Sequence, residues 1–209
     1  MKKAILFFML VVGCNITSYA QNNIKETFDS NSLEWTESPY KSPWGYAMID
    51  QGKMIVKSGN KFNPATGKVE PVLTETHCYA PIDVEKPFTI KTNVIINQSL
   101  LAATGAAGLI FNYRDAGNFY AFIMTQKTLT FLRYENNDLV GSIDLPFEMD
   151  KKNKENQEWT LISEHQNLKF LVNGIPMLNV RYMPLKYSGT GFISMGLQKI
   201  EIDDIEFIQ

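Results

Sequence analysis

A chain of 209 residues that is 44% apolar and 12% aromatic can bury one sizeable core without help from disulfides or metal. Its formal net charge is -2, so no basic surface marks nucleic acid as a partner. With two histidines, two cysteines, no Gly-x-Ser-x-Gly and no phosphate-binding glycine loop, the common nucleophile, nucleotide and Cys/His metal motifs are excluded.

In chain order, the first element is a leader. Lys2 and Lys3 precede an apolar run over 4–12, and Ser18-Tyr19-Ala20 offers small residues at −3 and −1 of a cleavage site. The pattern predicts a signal peptide over 1–20, a mature domain over 21–209, and export to the periplasm or the extracellular space. Val11-Val12-Gly13-Cys14 resembles a lipoprotein box, so a lipid anchor at Cys14 is the competing outcome. The apolar run is too short for a bilayer, and no membrane span is predicted elsewhere. Either processing route leaves Cys78 alone, which excludes an intramolecular disulfide in the mature chain. Cys78 reads as a small buried hydrophobe. His77 beside it points to the opposite face of a strand.

The rest reads as short strands between turn signals, over 44–50, 53–57, 71–80, 87–97, 105–113, 118–125, 128–134, 139–145, 158–164, 168–173, 177–181, 191–197 and 200–207. No window of helical length keeps a 3.6-residue apolar period. The patch over 100–107 has at most a turn of helix, interrupted by Gly105. Asn173-Gly174 accepts positive φ at both positions and predicts a tight hairpin. Turns at 136–138 and 165–167 join neighbouring antiparallel strands in the same way, and His165 falls at an exposed tip. Segments 57–68 and 150–157 read as loops.

Alternation identifies the buried faces. Phe88, Ile90, Thr92, Val94 and Ile96 share one face, and Trp159 and Leu161 share theirs with Leu168, Phe170 and Val172 across a hairpin. The segments 105–113 and 118–125 are apolar on both faces, which places them inside a doubly covered sheet or along a groove. The fold class is all-β, a two-sheet antiparallel sandwich.

Gly108–Tyr120, read Gly-Leu-Ile-Phe-Asn-Tyr-Arg-Asp-Ala-Gly-Asn-Phe-Tyr, resembles the central hairpin of laminin-G-like, concanavalin A-like jelly rolls of secreted bacterial proteins. Thr27-Phe28-Asp29 with Trp35 resembles their N-terminal strand. Trp44-Gly45-Tyr46 leading to Asp50-Gln51-Gly52-Lys53-Met54 resembles their entry motif, and Leu171-Val172-Asn173-Gly174 a late hairpin. Gly191-Phe192-Ile193 and Ile202–Phe207 resemble closing strands. The resemblance implies a jelly roll with one convex and one concave sheet. It implies no single function, because such domains include lectin-like modules and glucanases.

Three kinds of site are candidates. Glu201-Ile202-Asp203-Asp204-Ile205-Glu206 is similar to the E-x-D-x-x-E motif of concanavalin-like glucanases, where Glu201 would be nucleophile, Asp203 its support and Glu206 the acid/base. These three share a face only if a bulge falls at Asp203 or Asp204, and the apolar phase of Ile200 and Ile202 against Ile205 and Phe207 independently requires that bulge. The motif lies at the chain's end, whereas the glucanases carry it mid-chain, so the favoured reading is the solvated face of an edge strand. Asp29, Asp203 and Asp204 resemble a structural calcium site, although no cofactor is required. For sugar binding, exposed Tyr40 and the mix of Tyr113, Arg114, Asp115, Asn118 and Tyr120 around one turn offer rings and hydroxyl partners. Asp115 and Asn118 equally suit a purely structural turn. Trp35 and Trp44 are expected to cap the core. The reading is an exported noncatalytic module binding a glycan or a cell-surface partner. A retaining glycoside hydrolase and a structural cell-envelope protein are the alternatives.

Overall fold

The computed structural model describes residues 23–98, 105–146, 156–181 and 183–209. The leader, Cys14 and most of the loop at 150–157 lie outside these residues. Among the described residues sixteen strands, numbered along the chain, form two stacked antiparallel sheets and a small ribbon. The larger sheet runs β14 (Ile175–Val180), β13 (Asn167–Val172), β12 (Gln157–Glu164), β7 (Phe88–Gln98), β16 (Gln198–Ile208), β3 (Lys53–Ser58) and β2 (Gly45–Asp50). β1 (Asn23–Glu26) pairs with the second half of β16. The smaller sheet runs β11 (Asp138–Pro146), β10 (Thr128–Glu135), β9 (Asn118–Met124), β8 (Ala106–Asp115), β15 (Gly189–Met195) and β6 (Leu73–Tyr79).

The hairpins follow their turn residues. Asn173 and Gly174 have φ of 51° and 73°, and Asn136 and Asn137 have 52° and 67°. These left-handed values give the turn twist that antiparallel strands need. Segment 57–68 is not simply a loop: β4 (Asn60–Asn63) and β5 (Lys68–Pro71) pair as a separate ribbon, with Phe62 opposite Val69. The N-terminal strand ends at Glu26, ahead of Thr27–Asp29. Phe28 takes φ 57° and breaks the extended run, while its ring enters the core.

The core lies between the two inner faces. Phe88, Ile90, Val94, Ile96, Trp159, Leu161, Leu168 and Phe170 face Leu109, Phe111, Phe122 and Phe131. Phe122 of the smaller sheet stacks on Phe170 of the larger at 4.6 Å. Trp35 closes one end, stacked on Phe192 at 5.6 Å. Trp44 does not join it and is 46% exposed. Ala47 is the buried residue of β2, so Trp44 falls in phase with Tyr46 and Met48 on the outer face.

Cys78 is buried in this core, and burial drives its thiol pKa far above the ordinary value. Native protein at pH 8 should therefore resist iodoacetamide at Cys78, and urea should expose that thiol. Alkylation in the native state at the rate of a free thiol would contradict this placement.

β16 is not an edge strand. It sits at the centre of the larger sheet, flanked by β7 on one side and by β3 and then β1 on the other. Ile200, Ile202, Ile205 and Phe207 are all fully buried, and an isolated edge could not bury both halves of an eleven-residue strand so completely. The register shifts between Ile202 and Asp204, so Asp203 is the inserted residue. The bulge turns Glu201, Asp203 and Glu206 away from the core.

Candidate functional site

The smaller sheet is apolar on both faces in its middle. Ile110, Tyr113, Phe119, Ala121 and Ile193 form a second cluster on the outer face, with Ile123 and Tyr134 packed against it. This accounts for the two-faced apolar pattern of β8 and β9. At its margin His77 stacks on Tyr113 at 4.1 Å, and the Tyr113 phenol donates to Glu75 Oε1 at 3.3 Å. Burial, and then the neighbouring Glu75 charge, push the Tyr113 pKa up to about 12.

At one end this cluster opens into a cleft of about 170 Å³, lined by Arg114, Asn118, Phe119, Tyr134, Lys186 and Tyr187 among others. Two hairpin turns and one loop build it. Phe119 of β9 and Tyr134 of β10 pair across the strands and stack at 5.0 Å with 17° between planes. Asn112 interrupts β8 with φ 50°, a value asparagine tolerates better than most residues. Its Oδ1 accepts the backbone N–H of Lys186 at 2.7 Å and of Tyr187 at 2.9 Å. The loop that supplies the cleft's third wall is thereby pinned to the sheet. The other end of that loop is held by Met183 N–H, which donates to Gln166 O at 2.9 Å. Asn112 is absent from the sequence-based candidates; an asparagine between Phe111 and Tyr113, inside an otherwise apolar strand, is the signal that marks it.

Of the residues singled out from sequence, Arg114 and Asn118 line this cleft. Tyr120 borders it, but its ring turns into the main core and is 4% exposed. The alternation of β9 puts Phe119 outward and Tyr120 inward, so Phe119 is the ring on the cleft side. Tyr113 belongs to the outer cluster and Tyr40, 69% exposed, is not part of the cleft. Asp115 is a turn residue. It accepts from Arg114 Nε at 2.7 Å, Gly117 N at 3.0 Å and Asn118 Nδ2 at 2.8 Å. Bonds from Asn118 and Arg114 hold its pKa at about 2. Because the folded value lies below the ordinary aspartate value of 3.8, its contribution is complete above that value and fades as pH falls towards 2. Amide exchange at Gly117 should accelerate between about pH 4 and pH 2 beyond the intrinsic trend. An Asp115→Asn chain should show no such step, and a step in both would refute the assignment.

The carboxylates of β16 present a different picture. Glu201 accepts from Lys199 Nζ at 2.7 Å and lies 3.6 Å from Lys53 Nζ, and these cations hold it below the usual carboxylate range. Asp203 pairs with Lys53 at 2.8 Å, and Glu206 accepts from Asn23 Nδ2 at 2.6 Å. The three share an outer face, yet the cleft described above includes none of them. A retaining glycosidase needs two carboxyl groups flanking a bound sugar, one of them poised to donate a proton. Here Glu201 and Asp203 are paired with lysines and Glu206 is bonded by an amide.

A calcium ion does not fit the three aspartates. Asp203 is neutralised by Lys53, and Asp204 by Lys25 at 2.7 Å with Asn93 Nδ2 at 2.9 Å. Asp29 accepts from Thr27 Oγ1 at 2.9 Å, a bond within its own turn. Among the described residues no group of three His, Cys, Asp or Glu side chains is placed to hold a metal. A divalent ion would have to displace two ammonium groups to gain its ligands.

No family model matches the chain, and no curated protein matches it in sequence. Solved structures do match in fold. The carbohydrate-binding module CBM66 from Bacillus subtilis aligns at 14% identity with a TM-score of 0.53, over 81% of this chain and 91% of that one. The Emp47p carbohydrate recognition domain aligns at 10% identity with a TM-score of 0.61, over 88% and 93%. A Bacillus licheniformis beta-glucanase aligns at 10% identity with a TM-score of 0.58, over 88% and 97%. At such identities the likeness is one of fold, and the chain is a concanavalin A-like jelly roll, the fold shared by these lectin, carbohydrate-binding and glucanase domains.

Proposed function

We propose that the protein is an exported, noncatalytic module that binds glycan in the cleft between the 114–118 and 135–137 turns. The observation that carries the reading is the stacked Phe119–Tyr134 pair, set beside Arg114, Asn118 and Tyr187 in one recess. Sugar rings pack their C–H faces on aromatic rings, and amide and cationic donors satisfy the hydroxyls. Carbohydrate binding or hydrolysis fits the fold. Binding without hydrolysis is favoured by the lysine-paired state of Glu201 and Asp203. Export rests on the leader at 1–20, and attachment through Cys14 remains the alternative route to the same compartment.

The mature domain on a broad glycan array should retain a subset of glycans, and Tyr134→Ala should weaken that binding at least tenfold. Glu201→Gln and Glu206→Gln should leave it unchanged, and neither wild type nor these variants should release reducing sugar. An empty array, or full binding by Tyr134→Ala, would overturn the reading. Sugar release abolished by Glu201→Gln would replace it with the hydrolase.

A further inference from the structure

The cleft's size and charge specify its ligand further, on the footing that it binds glycan at all. Its volume of about 170 Å³ is well below the ~300–1,000 Å³ of pockets that enclose drug-sized ligands. It has room for one sugar ring and not for a chain threading through.

The charges around that space are unequal. Glu135 lies in the lining, but its Oε1 is bound by Arg133 through Nε at 2.9 Å and Nη2 at 2.7 Å. Arg114 uses Nε on Asp115, and its guanidinium carbon lies 5.8 Å over the Tyr187 ring. Its side chain is about half exposed and lines the cleft beside that ring. Lys186 is exposed and has no ion-pair partner among the described residues. The backbone N–H of Lys186 is fixed by Asn112, while the chain as a whole carries a net charge of -2. The recess is thus lined by one cation without an ion-pair partner among the described residues, Lys186, and by Arg114, which is paired through Nε with Asp115, while its single lining carboxylate, Glu135, is taken up by Arg133. Guanidinium and ammonium groups in such an arrangement recognise a carboxylate through charge-assisted hydrogen bonds, which are stronger than those to neutral hydroxyls.

We infer that the cleft is built for a single acidic sugar residue, a uronate at a chain end or as a side branch, with Arg114 and Lys186 on its carboxylate and Tyr134 under its ring. The carboxylate, not the ring hydroxyls, then sets the preference over neutral sugars.

Titration calorimetry with methyl glucuronide and methyl galacturonide against methyl glucoside and methyl galactoside tests this. At low ionic strength at least one uronide should bind tenfold or more tightly than its neutral counterpart. The gap should narrow as salt is raised, since the contributing cations are solvent-facing. Lys186→Ala, an exposed change that leaves the fold intact, should weaken the uronide severalfold and the neutral sugar little. Neutral sugars bound as tightly as uronides, or a preference untouched by both Lys186→Ala and Arg114→Gln, would overturn the inference while leaving glycan binding standing. Failure of every monosaccharide, together with an empty glycan array, would instead remove the glycan reading itself.

Discussion

Phe122→Ala should cost about 3–5 kcal/mol of folding stability, among the largest losses available to a single truncation in this chain. Phe122 is 1% exposed and belongs to β9, yet it stacks on Phe170 of the opposite sheet at 4.6 Å. Within its own sheet it stacks on Phe111 at 5.2 Å and meets Phe131 at 5.3 Å. Removing the ring takes contacts from both sheets at once, and close-packed neighbours on rigid strands relax little into the space. Phe122→Leu, which keeps most of the volume, should lose much less. Urea denaturation measures both. A loss below about 1 kcal/mol for the alanine variant would mean that the two inner faces do not interlock at this point.

Asn112→Ala should be the most damaging change outside the core, and it should act on binding as well as stability. Alanine at φ 50° adds roughly 1–2 kcal/mol of backbone strain. It also removes the acceptor for two backbone N–H groups, those of Lys186 and Tyr187, which together raise the expected total to about 2–4 kcal/mol. The wall carrying Lys186 and Tyr187 is no longer tied to β8, so glycan affinity should fall at least tenfold. Two further variants separate the causes. Asn112→Gly relieves the strain without restoring the acceptor, so it should recover part of the stability and little of the affinity. Asn112→Asp keeps the acceptor and should recover most of both. Equal affinity in the alanine and aspartate variants would show that the anchoring bonds do not shape the cleft.

Much of the sandwich is legible in local pattern. The phase of Phe88 through Ile96 and of Trp159 through Val172 predicts the inner faces that are found, because the two faces of a regular strand alternate. The phase change between Ile202 and Ile205 locates the bulge to within one residue. What escapes local pattern is long-range or depends on geometry. Nothing in the composition of the last strand says that it inserts between β3 and β7, since strand order is decided by pairing across the whole chain. The ribbon at Asn60–Pro71 is hidden because its pairing lies outside both sheets and its apolar residues, Phe62 and Val69, stay exposed. At the candidate site the turn residues Arg114, Asp115 and Asn118 are readable. The exchange of Tyr120 for Phe119 as the ring on the cleft side depends on the one-residue register of β9. Tyr134 and Tyr187 come from distant segments that only the fold brings to the same recess.

The central position of β16 sets the order in which the molecule can be assembled. Without β16, the larger sheet is two separate pieces, β2–β3 and β7–β12–β13–β14, and β1 has no partner. Docking β16 between them is a long-range pairing, which requires loop closure before it gains contacts.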